Sequence, residues 1–277
     1  MASDVRLVVS DIDDTLIPRE THGLPRRTAA AIERFVASGR HFAPITGRSR
    51  DDALKMFGDC AVGCATGAFV NGQLGYVDGQ VVCSELLSSE RLLEVADYLD
   101  HCTPAANLLL YQGSSIRALT KKPWRLKDYP SQENARRSGC ISTLEEPWVE
   151  KANIQCACSP QEVSALVARL SRHFEDLDFV QPGEVSEIDV APKGWSKARG
   201  VAVLAQALGV ELAQIVAVGD SDNDLTMLDY VPNSYAVASG TATARRTAAY
   251  QLPPVNQEPV AQLLEAILAG ETSPFCA

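Results

Sequence analysis

Two carboxylates, Asp11 and Asp13, lie one residue apart directly after a short apolar run, Arg6 to Ser10. In an extended strand end, alternate side chains project to the same side, so both carboxylates are expected to face one substrate. One can attack phosphorus to form an acyl phosphate, while the other protonates the leaving alcohol and later deprotonates the attacking water. Two anions repel a phosphate, so this chemistry requires a hard cation with oxygen ligands, most naturally Mg²⁺. An Asp-rich turn also follows many strands for structural reasons alone, and the pair by itself leaves both interpretations open.

Two further predicted strands end in polar residues. The strand at 42–45 leads into Thr-Gly-Arg at 46–48, and the strand at 215–218 leads into Gly-Asp-Ser-Asp-Asn-Asp at 219–224. In open α/β folds, ligands bind at the carboxyl ends of parallel strands. The three segments are therefore expected to meet at one edge of a sheet.

Helical periodicity connects these strands. Apolar residues recur at helical spacing in residues 24–38, before Gly39, and in residues 201–208, before Gly209. The stripes consist of Ala29, Ile32, Phe35 and Val36 in the first helix and of Val201, Leu204, Ala205 and Leu208 in the second. Strand, helix and strand in this order predict the βαβ unit of a parallel sheet.

The pattern changes between these two halves. A β-hairpin is predicted around the turn Asp78-Gly79. The segments that follow are a helix from Ser88 to about Leu99, strands at 107–111 and 116–119, a loop with a short helix at 123–139, a strand at 153–158, a helix at 161–173 and a strand at 187–190. This order predicts an α+β insert.

Taken together, the motifs resemble those of haloacid dehalogenase superfamily phosphatases of the Cof-like group, over essentially the whole chain. Residues 11–15 match the D-x-D-x-T loop, Thr46 matches the phosphoryl-holding hydroxyl residue, and residues 219–224 match the G-D-x-x-N-D metal loop. The resemblance implies an α/β fold: a Rossmann-like parallel-sheet core at 1–83 and 188–277, and an inserted α/β cap of the C2B type at 84–187. It also implies an active site at the interface of core and cap.

The resemblance further implies roles for individual residues. Asp11 is the nucleophile, and Asp13 is the general acid and base. The Mg²⁺ site comprises Asp11, the backbone carbonyl of Asp13, Asp220 and Asp224, the last supporting the metal or the catalytic lysine. Phosphate and substrate are bound by Thr46, Gly47, Arg48, Lys197 and Asn223, although Arg48 could instead form a structural ion pair.

The catalytic lysine is either Lys197 or Lys193, because both lie just before the helix at 201–208. The family spacing favours Lys197. A lysine at this point would stabilise both the Asp11 charge and the phosphoryl oxygens. The chain departs from the family at residues 66–68, where Thr-Gly-Ala replaces the usual Asn-Gly-Ala, and at residues 236–241, where an Asn-Ala pair is missing. The first change is expected to alter substrate contacts at the cap boundary, so the substrate of a family member does not carry over directly to this chain.

The composition narrows the class of partner. Thirty-five acidic residues against 25 basic ones give a net charge of −10, which disfavours nucleic acid and anionic membranes. No apolar run is long enough to span a bilayer and the N-terminus shows no leader pattern, so we expect a cytoplasmic protein. We expect it to be a monomer or a homodimer. The eight cysteines lack zinc-knuckle spacing and are expected to be reduced thiols.

The sequence thus predicts a Mg²⁺-dependent phosphatase acting on a small phosphorylated metabolite through an aspartyl phosphate. By resemblance a sugar phosphate is the first choice of substrate, followed by compounds such as pyridoxal phosphate or FMN. A phosphomutase of the same superfamily and a non-catalytic phosphate-binding module remain as alternatives. Retention of Asp11, Asp13 and Asp220 argues against the non-catalytic module.

Overall fold

The computed structural model of the protein describes residues 5–21, 23–102, 106–112, 115–120, 139–181 and 186–271. The chain forms two compact units, residues 1–84 with 196–277 and residues 85–195. The loop with a short helix that was predicted at 123–139 lies outside the described residues, apart from Gly139. Within the described ranges, no helix is both long enough and apolar enough to cross a bilayer.

The described elements alternate between strands and helices at both ends of the chain. In chain order the strands are β1 Leu7–Ser10, β2 His41–Pro44, β3 Gly67–Phe69, β4 Leu74–Val77, β5 Gln80–Ser84, β6 Leu87–Ser88, β7 Ala106–Gln112, β8 Ser115–Leu119, β9 Cys140–Ile141, β10 Trp148–Val149, β11 Lys151–Cys156, β12 Leu177–Val180, β13 Glu187–Pro192, β14 Ile215–Gly219, β15 Asn233–Val237 and β16 Tyr250–Leu252. The helices are α1 Arg26–Ala37, α2 Arg50–Phe57, α3 Ser89–Cys102, α4 Pro160–His173, α5 Lys197–Leu208, α6 Leu225–Tyr230, α7 Ala242–Thr247 and α8 Pro259–Ala269.

The first unit is built on a parallel sheet with the strand order β16-β15-β14-β1-β2. All four residues of β1 are buried, because this strand has a neighbour on each side and both of its faces are covered. Ser10, its last residue, lies opposite Val218 on β14 and Pro44 on β2. The predicted parallel sheet is confirmed, and the adjacent strands β14, β1 and β2 end side by side.

Both predicted helices that flank this sheet are present. The first, α1, buries Thr28, Ala31, Ile32 and Phe35, whereas Ala29 and Val36 of the predicted stripe are only partly buried. The buried face is set by packing against α8, which comes from the far end of the chain. The second, α5, ends at Gly209 with a left-handed φ of 61°, as its sequence predicted.

The predicted hairpin is also confirmed. Strands β4 and β5 pair antiparallel, and Asp78 and Gly79 have φ values of 49° and 78°. Positive φ at both central residues is what a two-residue type I′ turn requires. Gly72, with a φ of 101°, precedes this hairpin and packs closely on α5, since a Cβ added there would lie 2.5 Å from the carbonyl oxygen of Ser196.

The second unit contains a six-stranded sheet in the order β12-β13-β11-β7-β8-β9. Its apolar face packs with α3 and α4 residues such as Leu92, Leu99 and Leu166 in one core. The predicted boundary at 187/188 differs from the division at 195/196. The reason is that β13 pairs antiparallel with both β11 and β12 of this sheet, which keeps residues 187–192 in the second unit.

Candidate active site

Three adjacent strands of the first unit carry the candidate residues. Asp11 follows β1, Asp220 follows β14, and Thr46 follows β2 after one further residue. Parallel strands end at the same edge of the sheet, so their loops converge there. The Thr15 hydroxyl donates to Asp220 Oδ1 at 2.8 Å and joins the loops after β1 and β14.

A buried carboxylate cluster occupies this edge. Asp11, Asp220 and Asp224 each offer an oxygen within 4.8 Å of the others, and their residues are 5%, 8% and 0% exposed. Oxygen donors in this number and density suit a hard divalent cation. The donor set therefore fits a metal ion, through the carboxylates of Asp11 and Asp220 in particular.

Burial makes this cluster electrostatically unfavourable without added positive charge. Burial, assisted by neighbouring carboxylates, raises the pKa of Asp11 well above its usual range, although the Lys197 charge opposes the shift. Burial and the Asp224 charge raise the pKa of Asp220 to about 7. In the metal-free protein, a raised carboxyl pKa contributes stability that is lost as the pH rises toward 7. A bound cation would replace those protons.

Lys197 is the cation that the fold itself supplies to the cluster. It is 1% exposed, and its Nζ donates to Asp11 Oδ1 and Asp224 Oδ1, both at 2.5 Å. Burial would lower the pKa of Lys197, but the charges of Asp11 and Asp224 outweigh it and raise the pKa. Lys197 is also the first residue of α5, where the helix dipole disfavours a cation, so the two carboxylates are what keep it there.

Lys193, the alternative lysine, lies elsewhere. Its Nζ pairs with Asp178 at 2.6 Å in the second unit, and its side chain is 59% exposed. Of the two predicted lysines, only Lys197 contacts Asp11 among the described residues.

Asp224 uses both of its carboxylate oxygens within the protein. Oδ1 accepts from Lys197, and Oδ2 accepts from the backbone N–H groups of Asp220 and Ser221 at 2.9 and 3.0 Å. The Ser221 hydroxyl in turn donates to Asn223 Oδ1 at 2.8 Å. Asp224 therefore connects Lys197 to the loop after β14, and its predicted support of a metal site stays a prediction.

Thr46 and Gly47 lie in a tightly bonded turn. Thr46 is 1% exposed; its N–H donates to Ala68 O at 3.0 Å, and its carbonyl accepts from Asn71 N–H at 2.8 Å. A Cβ at Gly47 would lie 3.1 Å from Asn71 Oδ1. The backbone around the threonine is therefore fixed.

Asp13 does not share the surroundings of Asp11. The strand ends at Ser10, and the chain then turns, with Leu16 N–H donating to Ile12 O at 3.0 Å. The strand therefore does not extend through residue 13, and the expectation that both carboxylates face one substrate stays a prediction. The Asp13 carboxylate instead accepts two hydrogen bonds from Arg48, at 2.6 and 2.7 Å.

Sequence reasoning missed two positions that shape this edge. Thr15 is the last residue of the D-x-D-x-T motif at 11–15, and its place two residues after Asp13 was a usable signal for a contact at this edge of the sheet. Gly240 was missed altogether. A Cβ at that position would lie 2.5 Å from the carbonyl oxygen of Asp220.

Gly240→Ala is expected to destabilise the protein by roughly 1–3 kcal/mol, the usual cost of overpacking. The added methyl group would push against the Asp220 backbone, whose carbonyl also accepts from Thr241 N–H at 2.7 Å. Gly23→Ala is the matched control, because its Cβ would meet only Met56 O at an ordinary 3.5 Å. Denaturant unfolding measures both. Equal unfolding free energies for the two variants would contradict the close approach at Gly240.

Comparison with known proteins agrees with this geometry. Residues 8–264 match the model of the haloacid dehalogenase-like hydrolase family. The chain is 24% identical over 276 residues to the Escherichia coli 5-amino-6-(5-phospho-D-ribitylamino)uracil phosphatase YbjI, covering 98% of each. It is also 24% identical over 274 residues to YkrA of Bacillus subtilis, which is named as a phosphatase by assignment. The alignment covers 95% of this chain and 98% of YkrA.

Solved structures share the fold. The HAD subclass IIB sugar phosphatase BT4131 superposes with a TM-score of 0.75 at 18% identity, over 94% of this chain and 98% of that one. The HAD phosphatase BT1666 from Bacteroides thetaiotaomicron gives a TM-score of 0.77 at 19% identity, over 95% of each chain. The chain therefore belongs to the haloacid dehalogenase-like hydrolase family, among its phosphatases.

Proposed function

We propose that the protein is a Mg²⁺-dependent phosphatase that releases phosphate from a small phosphorylated metabolite through an aspartyl phosphate on Asp11. The observation that carries this proposal is the contact of the buried Asp11 carboxylate with Lys197 inside the cluster of Asp11, Asp220 and Asp224. A buried carboxylate held by a buried lysine, next to donors for a cation, suits a nucleophile that must meet an anionic substrate.

The proposed reaction has two displacement steps. An Asp11 oxygen attacks phosphorus, the bond from phosphorus to the ester oxygen breaks, and Asp13 gives a proton to the departing alkoxide. Asp13 then takes a proton from a water that attacks phosphorus, which breaks the acyl phosphate bond and restores Asp11. Lys197, Thr46, Gly47 and Asn223 are the proposed partners of the phosphoryl oxygens.

Mg²⁺, when bound, would neutralise the carboxylates and the phosphoryl oxygens as a Lewis acid. We assign it to the carboxylates of Asp11 and Asp220 and the backbone carbonyl of Asp13. Asp224 supports the site through Lys197 and the loop after β14.

A sugar phosphate or a related phosphorylated polyol is the proposed substrate class. Of the similar proteins, one is named a sugar phosphatase and another acts on a phosphoribitylamino compound. We assign the selection of the substrate to the second unit, since all of the proposed catalytic residues lie in the first.

Phosphate release is expected to require Mg²⁺. A panel of sugar phosphates and other phosphorylated metabolites, assayed with Mg²⁺, should yield at least one substrate. Chelation should then lower turnover by about 10²-fold or more, because uncompensated carboxylates repel the phosphate. Added Mg²⁺ should restore the activity, and Mn²⁺ or Co²⁺ should restore part of it. Full turnover in metal-free buffer would reject the metal-dependent mechanism.

A further inference from the structure

The ion pair between Arg48 and Asp13 has a geometry that fixes a carboxyl group. Arg48 Nε and Nη2 donate to Asp13 Oδ2 and Oδ1 at 2.7 and 2.6 Å, so both carboxylate oxygens are engaged. The hydrogen bond to Asp13 also raises the pKa of Arg48. A planar fork on a planar carboxylate sets orientation as well as distance.

The main chain on both sides of this pair is anchored. Arg48 N–H donates to Thr46 Oγ1 at 3.2 Å, and Arg48 O accepts from Val70 N–H at 3.0 Å. On the other loop, the residue after Asp13 has a left-handed φ of 56°, and its N–H donates to Ile17 O at 2.9 Å. The guanidinium therefore extends from one fixed loop to a carboxylate on another.

The pair faces open space. It forms part of the wall of a cavity of about 210 Å³ that is also lined by Ile17, Pro18 and Met56. The Arg48 and Asp13 side chains are 40% and 32% exposed, so a substrate oxygen can approach the carboxyl group while the fork holds it. Among the described residues, Arg48 is the only side chain that hydrogen-bonds the Asp13 carboxylate.

We propose that Arg48 is a positioning residue, which acts on the reaction by holding the Asp13 carboxyl group in place for proton transfer. This inference rests on the proposed function and deepens it. Direct binding of phosphate by the same fork is disfavoured, because Nε and Nη2 are already used by Asp13. Loss of Arg48 leaves the Asp13 side chain free to rotate away from the ester oxygen.

Two esters whose leaving groups differ in basicity distinguish a role of Arg48 in positioning Asp13 from a role in binding phosphate. 4-Nitrophenyl phosphate releases a stable anion that needs little protonation, whereas phenyl phosphate has a similar shape and a more basic leaving group. Arg48→Met should lower kcat/KM for phenyl phosphate about tenfold more than for 4-nitrophenyl phosphate, a part of the ~10²–10⁴-fold that general acid catalysis supplies. Arg48→Lys should restore only a fraction of the difference, because an ammonium lacks the fork.

The same comparison in an Asp13→Asn background completes the test. Arg48→Met should then change the ratio of the two kcat/KM values by less than about twofold, since the group that it positions is gone. Arg27→Met is the matched control: Arg27 Nε and Nη2 donate to Glu265 Oε1 and Oε2 at 3.4 and 2.6 Å, and this arginine is not among the residues that line the cavity. This control should leave the ratio of the two esters unchanged.

The possible failures are distinct. An equal loss for both esters that persists in the Asp13→Asn background would show that Arg48 binds phosphate directly, and would overturn the inference. An unchanged ratio in Arg48→Met, in an enzyme whose wild type is active, would also overturn it. A wild-type protein that releases phosphate from neither ester nor from the metabolite panel would instead reject the proposed function itself.

Discussion

Asp11→Asn is expected to abolish phosphatase activity, with a loss on the order of 10⁴-fold or more, while the protein stays folded. Deletion of the nucleophile in other covalent enzymes has effects of this size. An amide is a poor nucleophile and a weaker metal ligand than a carboxylate, yet it has nearly the same shape. The measurements are kcat/KM and thermal unfolding, each with and without Mg²⁺.

The stability of this variant follows from the charges around position 11. In the metal-free protein the cluster of Asp11, Asp220 and Asp224 is contacted by one lysine of the described ranges, Lys197, and burial raises the pKa of Asp11 well above its usual range. Removing one buried carboxylate leaves Lys197 paired with Asp224 at 2.5 Å. The metal-free Tm should therefore be unchanged or higher.

Asp222→Asn is the control, because Asp222 is an exposed carboxylate in the loop after β14, and this variant should keep its activity. Retention of activity within tenfold by Asp11→Asn would exclude Asp11 as nucleophile.

Lys197→Met is expected to lose both activity and stability. The change removes the positive charge and leaves Asp11 and Asp224 buried without their shared partner. Breaking a buried ion pair on one side costs roughly 3–5 kcal/mol, and losing a charge-stabilising donor costs about 10²–10³-fold in kcat. Denaturant unfolding in metal-free buffer and steady-state kinetics with Mg²⁺ measure the two effects.

Lys193→Met provides the matched control for this change. Its ion pair with Asp178 is exposed, and such pairs contribute about 0–1 kcal/mol. Activity should remain close to that of the wild type. The reverse outcome, in which Lys193→Met is inactive and Lys197→Met is active, would show that the lysine assignment is wrong.

Local sequence signals predicted the elements that carry the site. The apolar run before Asp11, the apolar run before Asp220, and the stop at Gly209 are local signals, and the structure has β1, β14 and the end of α5 at those places. Each depends on short-range periodicity or on the conformational freedom of glycine. Such features can be predicted without knowing what the element packs against.

Contacts between distant residues could not be predicted in the same way. Thr15 bonds Asp220 across 205 positions, and Arg48 bonds Asp13 across 35. The spacing favoured Lys197 over Lys193 only weakly, and which of them contacts Asp11 depends on the packing of α5. The boundary at 195/196 likewise depends on the strand partners of β13.

The most direct test of the central claim is the chemical identity of the phosphorylated residue. The wild-type protein and an Asp13→Asn variant, which should hydrolyse the intermediate slowly, would be quenched with acid during turnover of 4-nitrophenyl phosphate with Mg²⁺. Borohydride reduction of the acyl phosphate followed by peptide mass mapping locates the adduct. The proposed mechanism predicts a single modified position, Asp11, with more adduct in Asp13→Asn than in the wild type. An adduct at any other residue, or turnover with no adduct in either protein, would contradict it.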